Sequence, residues 1–214
     1  MKIGDIDRFF DTLGKRVEFP LQILLTGEAA GILLGMERAT FDIDFEVRLK
    51  LGGARDRRAA SDRWEVVRKA MTNTAHATGI TPQYAEDIDK WSSIALPSKR
   101  SRLYRRFGKV EVRILDPGLW AIGKLTRYLS TDVQDLRVVL KHANLRPIAT
   151  VRLWGTALGI SNVSSAQGLF RRQVESFLDR FSREIWGPGV DPSALNRTFL
   201  ESARKAREQR GGRD

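Results

Sequence analysis

Two aspartates stand two residues apart in Asp42-Ile43-Asp44. In an extended strand, residues i and i+2 point to the same side, so both carboxylates can reach one divalent cation. Magnesium held by one or two carboxylates and the oxygens of a bound phosphate asks for that arrangement. Upstream, Thr26-Gly27-Glu28 follows the apolar run Leu21–Leu25 and opens a stretch of small and apolar residues, Glu28–Met36. A turn between a strand and a helix can present backbone N–H groups to a phosphate. A phosphate cradle and a metal pair thereby become neighbours. An isolated Asp-x-Asp reads first as an exposed polar strand face; the turn before it is what gives this one chemical weight.

The elements that must position these residues are legible as periodicities. Thr40–Leu49 alternates strictly, with Phe41, Ile43, Phe45, Val47 and Leu49 on one face and Asp42, Asp44, Glu46 and Arg48 on the other. That is the pattern of a half-buried strand with an acidic open face. Lys109–Leu115 repeats it, burying Val110, Val112 and Ile114 and exposing Glu111 and Arg113. Ile6, Phe9, Phe10 and Leu13 recur at helical spacing before Gly14. Ala59–Thr78 predicts a helix after a basic loop at Leu51–Arg58, whereas residues 79–97 carry no clear period. Asp116-Pro117-Gly118 ends a strand and starts a helix, and Asp132–His142 continues as another. Past Pro147, helices are predicted over 148–160, 165–186 and 192–209, with a polar tail, Arg204–Asp214, expected to fray. The apolar stripe between Trp154 and Trp186 reads first as core. The chain is thus α/β (α+β): a core over 1–147, with a short mixed sheet flanked by helices, and a helical region over 148–214.

Composition narrows the chemistry. The 214 residues are 42% hydrophobic and 29% charged, enough to bury a substantial core. There is no cysteine and only two histidines, His76 and His142, far apart in the chain. Thiolate and histidine zinc motifs are excluded, so a metal must sit mainly on carboxylates. No apolar run approaches the roughly 20 residues of a spanning helix, and the N-terminus lacks a signal-like apolar region. The expectation is a cytoplasmic protein with no membrane partner. A net charge of +11 biases the chain toward a polyanion, nucleic acid first.

The order Leu25-Thr26-Gly27-Glu28, a thirteen-residue spacer from Ala29 to Phe41, then Asp42-Ile43-Asp44 resembles the nucleotidyltransferase superfamily of polymerase-β-like fold. A second block, Trp91–Leu140, looks like the corresponding part of bacterial nucleotidyltransferases of the toxin–antitoxin and abortive-infection type, through Lys124-Leu125-Thr126-Arg127 and Asp132-Val133-Gln134-Asp135. The likeness runs over about residues 20 to 141. It implies transfer of a nucleoside monophosphate from an NTP to a hydroxyl, RNA such as a tRNA end, by the toxin of a toxin–antitoxin or phage-defence pair with a cognate antitoxin as partner. By position it implies Asp42 and Asp44 on Mg2+, two ions being possible, with Glu111 as a third metal carboxylate. Thr26, Gly27, Glu28, Arg38 and Arg127 would bind the substrate, Lys124 would face the phosphates, and Asp132 or Asp135 would complete the site. Glu28 stands where the signature has Gly or Ser, placing a carboxylate beside the triphosphate. A second reading therefore stays open, a non-catalytic protein of the same fold that binds RNA or a protein partner. A third is transfer of AMP to a protein hydroxyl.

Charge placement agrees with a polyanion. Ser98–Arg113 carries seven basic residues and one acid, and Arg48–Lys69 carries eight against three. Tyr104 and Phe107 interleave the first segment and could stack on bases. The competing reading is a solvated arginine-rich surface.

Overall fold

The apolar run Leu21–Leu25 (β1) becomes the middle strand of a five-stranded mixed sheet. With Asp42–Leu49 as β2, Thr81–Ala85 as β3, Ser101–Phe107 as β4 and Val110–Leu115 as β5, the order is β3-β2-β1-β5-β4. β1 runs antiparallel to β2 and parallel to β5; β3 lies parallel to β2, and β4 antiparallel to β5. A strand flanked on both sides and covered on both faces reads as continuous hydrophobic sequence, as β1 does. The computed structural model describes residues 1–49, 57–87 and 92–211, and the basic loop expected at Leu51–Arg58 falls largely outside them.

Chain contacts divide the molecule into two units, one gathering the described residues of Met1–Leu33, Glu37–Ile88 and Ser101–Leu115, the other those of Leu34–Met36, Asp89–Arg100 and Asp116–Asp214. The first holds the sheet with helices α1 (Ile3–Gly14), α2 (Gly27–Leu33) and α3 (Arg57–Thr78). Helix α1 buries Ile6, Phe9, Phe10 and Leu13, and the rings of Phe9 and Phe10 meet Phe45 of β2 at 6.2 and 5.7 Å. The inward face of β2, Ile43, Phe45 and Val47, is therefore apolar, and its other face is left for the polar residues.

Three expectations for this unit need correction. Residues 79–97 contain a strand, β3, and the basic segment before Lys109 contains another, β4. Both lie at the sheet margins, where polar side chains replace the alternation that marks an inner strand, and β4 is further broken by an irregularity between Leu103 and Arg105. Phe41 is 92% exposed rather than buried, because β2 begins only at Asp42 and alternation has no meaning ahead of the strand. Glu46, placed on the open face by alternation, is 2% exposed.

The second unit contains helices α4 (Pro117–Arg127), α5 (Ser130–His142), α6 (Pro147–Ile160), α7 (Ser165–Trp186) and α8 (Pro192–Gly211). It thus takes in α4 and α5, which the sequence reading grouped with the core up to residue 147. Asp116 caps α4 by accepting from the N–H groups of Gly118 and Leu119, and Pro117 supplies a preset first turn. Helices α6 and α8 approach closely through Gly155 and Gly159: a Cβ there would stand 2.4 Å from the Phe199 carbonyl oxygen and 2.3 Å from that of Ala203. The tail expected to fray is helical through Gly211, since Ala203 and Ala206 are buried and the Arg210 guanidinium donates to the Ile160 carbonyl and to Asn162. Trp154, Phe170, Val174, Phe177 and Leu178 form core as expected, whereas Leu169 is exposed. Among the described residues no helix is long and apolar enough to cross a membrane.

Candidate functional site

Gly27 and Asp44, seventeen residues apart at the two ends of the motif, are brought into direct contact. Gly27 has φ +52, the left-handed region where side chains are strained, and an added Cβ would stand 2.0 Å from Asp44 Oδ2. The glycine therefore does two jobs: it turns the chain from β1 into α2, and it leaves room for the carboxylate. The Thr26 N–H donates to the Asp44 carbonyl, and the Glu28 N–H is directed at Asp44 Oδ2 at 3.4 Å. Of the turn's N–H groups, that of Glu28 is thus aimed at the protein's own acid rather than at a free phosphate. With α2 only seven residues long, its dipole adds little to anion binding.

The Asp42 carboxylate is held by neutral donors. Its Oδ1 accepts from the Thr40 hydroxyl at 3.0 Å and its Oδ2 from the Gln83 amide of β3 at 2.5 Å. Among the described residues it makes no ion pair, whereas Asp7, Glu28, Glu46 and Glu111 each have an arginine. Neutral donors fix the direction of the Asp42 carboxylate, and none of the described residues brings it a cation. The acid of Glu28, foreign to the signature, is compensated by Arg38. Arg38 and Glu28, both expected at the substrate, are thus partners of each other.

Among the described residues, no three carboxylates or imidazoles gather closely enough to share an ion. The protein would supply Asp42 and Asp44, leaving other positions to water and phosphate oxygens, a donor set that suits magnesium. The hollow at Gly27 that holds the Asp44 carboxylate fits that use.

Glu111 is not a third ligand. Gln22 of β1 pairs with Arg48 on one side and Glu111 on the other, so Glu111 sits at the far end of the strands from Asp44. The separation is roughly 13 Å along β2 and about 10 Å across two strand spacings, far beyond the reach of one cation. Its carboxylate accepts from the Gln22 amide at 2.9 Å and pairs with Arg106 and Arg113 at 3.0 and 3.2 Å. The Gln22 and Arg106 hydrogen bonds pull its pKa from 4.5 down to about 2 against the opposing effect of burial. Alternation reported correctly which face Glu111 occupies, and said nothing about its height on the sheet.

Lys124, Asp132, Asp135 and Arg127 are brought together with one another in the second unit. Lys124 is 3% exposed and reaches Asp135 at 2.8 Å and Asp132 at 3.1 Å, while Arg127 pairs with Asp132 at 2.7 Å. Asp132 also accepts from the Leu129 N–H, closing the first turn of α5. Burial works against its charge, but the Arg127 hydrogen bonds and the Lys124 charge outweigh it and hold the carboxyl below its usual range. Lys124, expected to face phosphates, is the centre of a buried ion cluster joining α4 to α5.

The stacking residues also differ from expectation. Phe107 is 8% exposed against Phe10, and the Tyr104 hydroxyl donates to Asp7 at 2.7 Å. Arg105, Arg106 and Arg113 are paired with acids, while Arg102 is exposed and makes no ion pair among the described residues. The exposed ring of this unit is Phe41.

Compared with models of protein families, with curated proteins and with solved structures, the chain finds no match.

Proposed function

We propose that the chain is a magnesium-dependent nucleotidyltransferase that moves a nucleoside monophosphate from an NTP to a hydroxyl, with RNA as acceptor. The observation that carries this reading is the seating of the Asp44 carboxylate in the hollow at Gly27, which joins the two halves of the motif. Asp42 beside it makes no ion pair among the described residues, which adds support, since such an acid on a chain of net charge +11 suits an ion brought by the substrate.

In this reading Asp42 and Asp44 hold the ion, Thr40 and Gln83 keep the first carboxylate aimed, and the Gly27 turn keeps the second in place. Bound magnesium supplies charge neutralisation to the triphosphate oxygens. The acceptor oxygen forms a bond to the α-phosphorus, the bond from that phosphorus to the bridging oxygen breaks, pyrophosphate leaves, and the hydroxyl proton passes to water. Such a transfer asks chiefly for positioning and neutralised charge. A role as a toxin with a cognate antitoxin belongs to the proposal through the sequence resemblance alone.

A second reading, a non-catalytic protein of the same fold that binds RNA or a protein, is favoured by the distance of Glu111 from the pair. One experiment separates the two. The purified protein is incubated with magnesium, each labelled NTP, total tRNA and a cell lysate. Label on tRNA is the expected result, and Asp42→Ala and Asp44→Ala should each abolish it while keeping a cooperative unfolding transition. Label on a protein redirects the reading to AMP transfer onto protein, and no label on anything moves the binding protein ahead.

A further inference from the structure

Phe41 is the most exposed large hydrophobic residue among those described, at 92%, and it immediately precedes Asp42. Single exposed apolar residues are ordinary on protein surfaces, so exposure alone assigns nothing. The other phenylalanines of its unit are all engaged: Phe9, Phe10, Phe45 and Phe107 in ring contacts, Phe19 beneath Arg63. Phe41 makes no ring or cation contact among the described residues. Its backbone, in contrast, is held on both sides. Thr40 is 2% exposed and donates its hydroxyl to Asp42, and Asp42 is paired in the sheet with Thr81 of β3. A free aromatic face on a fixed backbone loses little conformational freedom when a flat ligand covers it.

We infer that Phe41 is a stacking platform for a nucleobase whose phosphates lie at Asp42 and Asp44. This rests on the reading of those acids as a metal–phosphate site. The ligand chemistry is the π face of a base, supplied either by the donor NTP or by a single-stranded end of the acceptor. Stacking tolerates any base and favours the larger purine face, so purine nucleotides bind more tightly than pyrimidine ones. The sequence pattern hid this residue, because strict alternation assigned it to the core.

The test measures binding of two probes to the full chain in magnesium: a non-hydrolysable ATP analogue, and a labelled single-stranded RNA. Phe41→Ala should weaken at least one of them by about ten- to a hundredfold, the range expected for losing one stacked base. Phe41→Trp should bind as tightly as the parent or better, and thermal unfolding of both variants should match the parent, since an exposed ring adds nothing to the core. Weakening confined to the ATP analogue assigns the donor base to Phe41, and weakening of the RNA assigns the acceptor base. If Phe41→Ala binds both probes like the parent while Asp42→Asn loses the ATP analogue, the stacking inference falls and the metal–phosphate reading stands. If the parent binds neither probe, both fall.

Discussion

At Gly27 the absence of a side chain is a packing requirement as well as a conformational one. Gly27→Ala sets a methyl group against the Asp44 carboxylate at a positive φ, so it should cost more than about 1 kcal/mol of stability and displace the acid. Denaturant unfolding reads the first effect, and magnesium-dependent nucleotide binding reads the second. Glu111 belongs to stability rather than to the site. Its pKa lies at about 2 in the folded chain against an ordinary 4.5, so its contribution is complete above about pH 4.5 and is lost as pH falls toward 2. The parent should therefore lose stability over that interval more steeply than Glu111→Gln, which has no proton to take up; equal slopes in acid unfolding curves would contradict this. Arg113, two residues from Glu111 on the same strand face, was readable in the sequence as its partner; Arg106, which reaches Glu111 from β4, and Gln83, which reaches Asp42 from a strand that no periodicity announced, were not.

Elements set by strong periodicity were the readable ones. Helix α1, strands β1, β2 and β5, and the five helices after Leu115 appear where apolar spacing predicts them, with boundaries shifted by a few residues. Strands β3 and β4 were not readable because their stability comes from pairing with β2 and β5 rather than from a buried face of their own. The α4–α5 pair carries the clearest element-level prediction. Lys124→Met takes from the buried Asp132 and Asp135 the ammonium they share, and should destabilise the protein by about 3–5 kcal/mol. If Lys124 acted only on substrate, the denaturant midpoint would not move. The α6–α8 contact makes a parallel case: Gly159→Leu overpacks a helix crossing with no room for a Cβ, and a lowered melting temperature with α-helical content retained is the expected outcome.

For the molecule as a whole, a charge of +11 predicts that RNA binding is chiefly electrostatic. Affinity should fall by about tenfold or more between about 50 and 200 mM salt, whereas the stacking part at Phe41 should survive as a salt-independent difference between the parent and Phe41→Ala. Titration of both proteins across that range separates the two contributions. Composition and patterning alone determined the α/β class, the excluded metal chemistries, the charge and the pairing of Asp42 with Asp44 on one strand face, because each depends on residue type or on neighbours a few positions away. The tertiary structure alone decided that Asp44 seats against Gly27, that Glu111 stands too far along the sheet to join it, that Lys124 is enclosed by two carboxylates, and that Phe41 faces solvent. Each of those turns on strand register or on the layer that covers a face, and both are properties of segments distant in the chain that local periodicity does not encode.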